Sequence, residues 1–136
     1  MKRFNSTHYS EGVFNIAMLL LRITFGGLLL VNHGMAKLMH FAELQDKFYS
    51  FMGIGSRFSL ILAIFAEVFC SLFIILGLFT RLALIPVIIV MLVAIFSVHA
   101  GQGFDKAEMA VVYGSAFVAL LCCGPGKISV DGMINR

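Results

Sequence analysis

Four long apolar runs constrain this chain more than any other feature of its sequence. They cover residues 13–31, 60–79, 82–98 and 107–123, and the first can continue to residue 37. A helix of about 20 apolar residues crosses a bilayer. Because lipid offers no hydrogen-bond partners to the backbone, runs of this length are predicted to be helices. We therefore predict an all-α, integral membrane four-helix bundle.

The composition agrees with a chain that is embedded in a membrane. Of the 136 residues, 60% are hydrophobic and 12% are charged, whereas a soluble domain is about half apolar and about a quarter charged. The net charge of +3 is too small and too scattered for a nucleic-acid-binding surface. The length leaves room for one domain. We expect an N-terminal tail (1–12), a single four-helix transmembrane domain (13–123) and a C-terminal tail (124–136).

An even number of spans places both termini on one side of the membrane. The basic start and the first run resemble a signal peptide, but Arg22 interrupts the run and no small-x-small cleavage site follows, so the run is predicted to be retained. Five basic residues fall on the side of the termini and four on the other side. This bias favours both termini in the cytoplasm.

The first run carries ionisable residues on one face. In a helix, Arg22, Gly26, His33 and Lys37 point within about 60° of one another. Ionisable groups inside a span usually face other helices and mark functional sites. Gly26 would let a neighbouring backbone or a flat ligand come close. The stripe is therefore predicted to face the interior of the bundle.

The second run carries one acid, Glu67. Counted from the run ends, Glu67 lies about 12 Å deep and Arg22 about 13.5 Å deep, so both fall near the middle of a core of about 30 Å. Burying either charge alone is unfavourable, which predicts an Arg22–Glu67 ion pair. Such a pair could bind a ligand, or it could only fix the register of two helices.

A second group of polar residues is predicted nearer the far side of the membrane. It comprises His33, Lys37, His99, Asp105 and Glu108. Tyr113 lies deeper, toward the level of Glu67. Because histidine titrates near neutral pH, this group could form a proton path to the buried pair. The alternative is that these side chains only anchor helix ends at the membrane surface, where acids also suit a helix start.

The cysteines give no sign of redox chemistry or metal binding. Cys70, Cys122 and Cys123 form no C-x-x-C motif, so they are predicted to be small packing residues. Palmitoylation of Cys122 or Cys123 is the alternative. The spacing of the histidines and acids matches no ligand motif, so we expect no metal.

Three motifs follow one another along the chain. They read Leu21-Arg-Ile-Thr-Phe-Gly-Gly…His33-Gly-Met-Ala-Lys37-Leu, Ala66-Glu67…Leu76-Gly-Leu-Phe-Thr-Arg-Leu-Ala, and Gly124-Pro-Gly-Lys-Ile-Ser-Val-Asp131. Their order and spacing, from about Leu20 to Asp131, resemble the DoxX family of small four-helix membrane proteins. The residues that match the family pattern are Arg22, Gly26, Lys37, Glu67, Arg81, Gly124, Gly126 and Asp131.

The resemblance implies a link to redox chemistry. Some family members are associated with quinone-linked thiosulfate oxidation, and others resemble partners of redox enzymes in an oxidative-stress complex. This chain has no residue suited to carry two electrons, so an enzyme acting alone is not expected. At most it is an oxidoreductase subunit, and a quinone is the candidate cofactor.

Our first hypothesis is a membrane subunit of a redox system that binds a quinone-like or other small apolar molecule. The candidate ligand-binding residues are Arg22, Gly26, His33, Lys37, Glu67, His99, Glu108 and Tyr113. The expected partners are the lipid bilayer, a redox enzyme and a second copy of the chain. Two alternatives stay open: a transporter or channel for a small solute or protons, and a non-catalytic assembly factor or scaffold.

Overall fold

The computed structural model describes residues 7–46, 50, 53–98 and 108–134, and every regular element in these ranges is helical. This confirms the all-α prediction. In chain order the helices are α1 (Glu11–Met39), α2 (Phe41–Leu44), α3 (Ser56–Leu76), α4 (Thr80–Val93, continued by a π-helical stretch, Ala94–Val98), α5 (Glu108–Cys123) and α6 (Val130–Ile134).

The ends of the helices follow from local sequence. Ser10 caps α1, because its side chain accepts a hydrogen bond from the Val13 N–H at 3.1 Å. Gly77 ends α3 in the left-handed conformation, with φ of 74°, a backbone region in which glycine is the usual residue. Only Leu78 and Phe79 separate Gly77 from the start of α4. The chain therefore turns back on itself directly after α3.

Four helices, α1, α3, α4 and α5, share one core. Its buried residues come from all four: Met18, Leu29, Ala66, Cys70, Ile74, Ala83, Leu84, Val87, Met91, Ala110, Tyr113, Phe117 and Leu120. The outside is also apolar, and residues such as Leu20, Val31 and Leu82 are exposed. Helices that are apolar on all sides are typical of a membrane protein. In the described part, α1 and α3 are long and apolar enough to span a bilayer, and two shorter apolar helices, Thr80–Phe96 and Glu108–Cys123, accompany them.

The helices α1 and α3 run antiparallel and approach each other closely at two glycines. A Cβ at Gly26 would lie 3.5 Å from the Ser71 carbonyl oxygen, and a Cβ at Gly34 would lie 2.7 Å from the carbonyl oxygen of Glu67. Real Cβ atoms essentially never come as close as the second distance. Gly34 is therefore required where α1 crosses the middle of α3.

Three of the helices contain a π-helical stretch. It covers Leu30–Gly34 in α1, Phe65–Cys70 in α3 and Ala94–Val98 in α4. The stretches of α1 and α3 pack against each other. Single π turns inside α-helices occur often at functional sites, so this contact is where a site is most expected.

Candidate functional site

An ion pair joins α1 to α3 where their π-helical stretches meet. The Lys37 Nζ lies 2.7 Å from the Glu67 Oε2, and the side chains are 21% and 5% exposed, respectively. Glu67 lies about 16 Å from the start of α3 and about 14 Å from its end, at 1.5 Å per residue. The acid is therefore close to the middle of a helix whose length matches a hydrocarbon core of about 30 Å.

The close contact at Gly34 brings Lys37 within reach of Glu67. Because Gly34 rests on the backbone of Glu67, the next turn of α1 brings Lys37 alongside the same residue. A lysine stem is long and flexible, so its ammonium can bend back to the carboxylate. Of the two partners, Lys37 is the more exposed. A ligand approaching the pair would meet its ammonium first.

Two aromatic side chains complete the surroundings of Glu67. The rings of His33 and Tyr113 meet edge to face, with centroids 5.5 Å apart and planes at 87°. The charge of Glu67 acts on both rings. Tyr113 also stacks on Phe117, with centroids 6.1 Å apart. We call His33, Lys37, Glu67 and Tyr113 the Glu67 cluster: it combines a cation, an acid and two polar rings in an apolar setting.

The predicted Arg22–Glu67 ion pair is wrong, because the two side chains have different partners. Arg22 is 1% exposed, and its Nη1 donates to the carbonyl oxygens of Ile75 at 3.1 Å and Ile74 at 3.5 Å. Its Nη2 donates to the carbonyl oxygen of Ile128. The last carbonyls of a helix have no partner within the helix and carry partial negative charge. They are suitable partners for a buried guanidinium.

The predicted depth of Arg22 is wrong because it was counted from Val13, the first residue of the first apolar run, as if Val13 lay at the membrane surface. The first turns of α1 instead lie beside the C-terminal tail, where the Lys127 N–H donates to the Asn15 side chain at 2.9 Å. Arg22 therefore lies level with the end of α3 rather than with its middle. The predicted stripe is correct in direction, since Arg22 and Lys37 both face α3.

Around Arg22 the C-terminal tail is bound to the turn between α3 and α4. The Asp131 carboxylate accepts hydrogen bonds from the N–H groups of Phe79 at 2.8 Å and Thr80 at 3.0 Å, and the Asp131 N–H donates to the Gly77 carbonyl at 2.8 Å. Burial acts to raise the pKa of Asp131, but these N–H groups and the charge of Arg22 outweigh it and hold the pKa below its ordinary value. We call Arg22, Gly77 and Asp131 the tail clasp.

Sequence reasoning overlooked Gly77 as part of this arrangement. A Cβ at Gly77 would lie 2.5 Å from the Arg22 Nη1 and would also collide with the Ser129 side chain. Its positive φ adds a second reason for glycine. The Leu76-Gly77 pair in the second motif is the sequence signal that could have pointed to this residue. It marks a helix end that must leave room for a guanidinium.

The other candidate residues fall in different places. Gly26 lies in the contact between α1 and α3. Glu108 is exposed at the first residue of α5. His99 and Asp105 lie outside the described residues. Arg81, at the start of α4, donates from Nε to the Leu121 carbonyl at 3.2 Å and so ties α4 to the end of α5.

No metal centre is evident in the part of the chain that the structure describes, where no three His, Cys, Asp or Glu side chains come together. An open groove of about 500 Å³ lies beside the tail clasp, between the start of α4 and Pro125. Asp131 lines it, but its carboxylate is already bonded to Phe79 and Thr80. None of the residues that line this groove belongs to the Glu67 cluster.

Comparisons with known proteins agree with the motifs. The family model for DoxX matches residues 17–100. A protein of Haemophilus influenzae described as uncharacterized is 29% identical over 101 residues, which cover 71% of this chain and 67% of that protein. No solved structure matches the chain. The match to the family model and the two apolar helices indicate an integral membrane protein. This chain belongs to the DoxX family.

Proposed function

We propose that this chain is a four-span membrane subunit of a redox system that binds a quinone-like molecule at the Glu67 cluster. The observation that carries the proposal is the Lys37–Glu67 ion pair, which is located midway along α3 beside Tyr113 and His33. Ionisable groups at this depth are unfavourable in lipid, and proteins that keep them there commonly use them on a substrate or proton path.

The chemistry of the cluster suits a ring that carries carbonyl or hydroxyl groups. The Lys37 ammonium can donate a hydrogen bond to a carbonyl oxygen, and the Glu67 carboxylate can accept one from a hydroxyl. The rings of Tyr113 and Phe117 offer flat apolar surface beside these groups. A quinone and its quinol alternate between carbonyl and hydroxyl forms, so both forms find a partner here.

Protons and electrons would follow different routes. His33 lies in the cluster, and an imidazole can both accept and donate a proton, so it is the candidate link between Glu67 and water. Electrons would pass between the quinone and a partner redox enzyme, since the chain supplies no electron carrier of its own. The proposed role is therefore that of a subunit, and catalysis by this chain alone is not proposed.

Arg22 is left out of the proposed ligand site. Its Nη1 and Nη2 donate to the carbonyls of Ile75 and Ile128. Its Nε makes no hydrogen bond among the described residues, but Arg22 is 1% exposed, so a ligand has little access to it. This supports a structural role for Arg22. The alternative in which the whole chain is a scaffold extends that role to Lys37 and Glu67 as well.

The proposal includes a topology. We propose that α4 and α5 complete four spans, which is supported by the core that all four longer helices share. Both termini would face the cytoplasm from the inner membrane of a bacterium, following the small excess of basic residues on their side. The partner enzyme would then meet the chain at one membrane surface.

Binding of short-chain benzoquinones and naphthoquinones to the purified full chain tests the proposal. Glu67→Gln should weaken saturable binding about tenfold or more, because a hydrogen bond to a charged group contributes about 1.5–3 kcal/mol. Glu43→Gln is the matched control, since Glu43 is an exposed acid on α2. Thermal unfolding of each variant separates lost binding from lost folding.

Two results would contradict the proposal. One is a wild-type protein that binds none of the quinones saturably. The other is a folded Glu67→Gln protein that binds them as tightly as Glu43→Gln does. Proton or solute flux in liposomes that depends on Glu67, without quinone binding, would favour the transporter alternative instead.

A further inference from the structure

A polar side chain lies exposed on the outer face of α1, at the depth of the Glu67 cluster. Asn32 is exposed, and its amide makes no hydrogen bond among the described residues. It lies two residues before Gly34, which rests on the backbone of Glu67 in the middle of α3. The distance along the axis is about 3 Å. In the membrane, Asn32 would therefore be in the hydrocarbon core.

An amide at this depth needs a partner. Lipid tails offer no hydrogen bonds, so an unpaired amide among them is unfavourable. Asparagine is one of the residues that hold membrane helices together, since its side chain can bond across a helix–helix contact. The position of Asn32 thus indicates a contact with protein that the described residues of the chain do not supply.

The surface around Asn32 can accept another helix. Leu28, Val31 and Met35 are exposed beside it, Val31 at 64%. Gly27 borders this surface, and no described atom lies within 4 Å of a Cβ built there. At 100° per residue, the exposed apolar residues point about 150–170° away from the centre of the stripe that faces α3, and Asn32 points about 110° away from it. We call Thr24, Leu28, Val31, Asn32 and Met35 the outer α1 face.

We propose that the outer α1 face is the contact between two copies of this chain, with the Asn32 amides bonded to each other across a two-fold axis. A second copy is the occupant that fits, because an amide is both donor and acceptor and so complements itself. In a two-fold contact each residue can meet its own counterpart. Much of the α1 surface is free for such a contact: 22% of its most apolar 18-residue stretch is buried, against 56% of the corresponding stretch of α3.

Subunit counting in lipid vesicles over a range of protein-to-lipid ratios tests the proposal. The wild type should dimerise, and Asn32→Leu should raise the apparent dissociation constant about tenfold, as expected for one polar contact between membrane helices. Ser115→Ala is the control, because Ser115 is an exposed polar residue on α5. It should leave the dimer unchanged. A monomeric wild type, or an Asn32→Leu dimer as tight as the wild type, would overturn the proposal.

Cysteine crosslinking tests the same contact without removing the amide. In a background with the three native cysteines replaced, Val31→Cys should form an intermolecular disulfide readily. Leu72→Cys, on the exposed side of α3, should not. Equal crosslinking at the two positions would mean random encounters and would contradict a specific α1 contact. Neither test depends on quinone binding, so it stands apart from the proposed function.

Discussion

Two cations on the same stripe of α1 have opposite environments. Arg22 is 1% exposed and bonds only to backbone carbonyls among the described residues. Lys37, four turns further along, pairs with a carboxylate and keeps part of its side chain open. A guanidinium bonded to backbone carbonyls holds parts of the fold together, whereas an ammonium paired with an acid can exchange its partner for a ligand. The contrast separates the tail clasp from the Glu67 cluster.

The largest effect is expected from removing the guanidinium of the tail clasp. Arg22→Met should lower the free energy of unfolding by about 3 kcal/mol or more, because several hydrogen bonds to a charged group are lost and buried carbonyls lose their partner. Thermal unfolding in detergent micelles measures this change. Arg57→Met, at an exposed position near the start of α3, should have little effect. Equal stabilities of the two variants would remove the structural role assigned to Arg22.

A medium effect is expected from separating α1 and α3 at the Glu67 cluster. Gly34→Ala places a methyl group 2.7 Å from the Glu67 carbonyl oxygen, and overpacking of this kind lowers the free energy of unfolding by about 1–3 kcal/mol. It should also weaken quinone binding, since Lys37 is moved away from Glu67.

Gly27→Ala is the matched control on the same helix. The methyl group meets open space there, and alanine favours a helix over glycine by about 0.5–1 kcal/mol. Stability should stay constant or rise, with quinone binding unchanged. A loss of binding in Gly27→Ala as large as in Gly34→Ala would show that the close approach of the helices is not what matters.

The smallest effect is expected at Asp131, and it should depend on pH. Asp131→Ala removes the acceptor at the start of α4, which lowers the free energy of unfolding by about 1 kcal/mol. Because folding lowers the pKa of Asp131, the charged form stabilises the fold. The advantage of the wild type should be complete above the ordinary aspartate pKa of about 3.9, and it should be lost as the pH falls through the lower pKa of the folded state.

Unfolding temperatures of the wild type and Asp131→Ala between neutral pH and about pH 3 measure this dependence. The difference between the two proteins should shrink at the acidic end. A difference that grows as the pH falls would mean that protonated Asp131 is the stabilising form, in contradiction to its hydrogen bonds from Phe79 and Thr80 and to the nearby charge of Arg22.

The sequence predicted the helices and the inward direction of the Arg22–Lys37 stripe, because apolar runs and helical periodicity are local properties. It mispaired Arg22 with Glu67, since the partners of Arg22 are backbone carbonyls that leave no mark in a side-chain pattern. The depth of a residue also depends on where neighbouring helices end, and the tail covers the first turns of α1. The π-helical stretches before Lys37 and around Glu67 likewise have no simple signature in the sequence.

The central claim is that ligand binding belongs to the Glu67 cluster and not to the tail clasp. The most direct measurement is a quinone titration of Glu67→Gln beside Asp131→Ala, both shown to be folded at neutral pH. Glu67→Gln is expected to bind about tenfold or more weakly than the wild type, while Asp131→Ala is expected to bind as the wild type does. Weakened binding in Asp131→Ala with unchanged binding in Glu67→Gln would contradict the central claim.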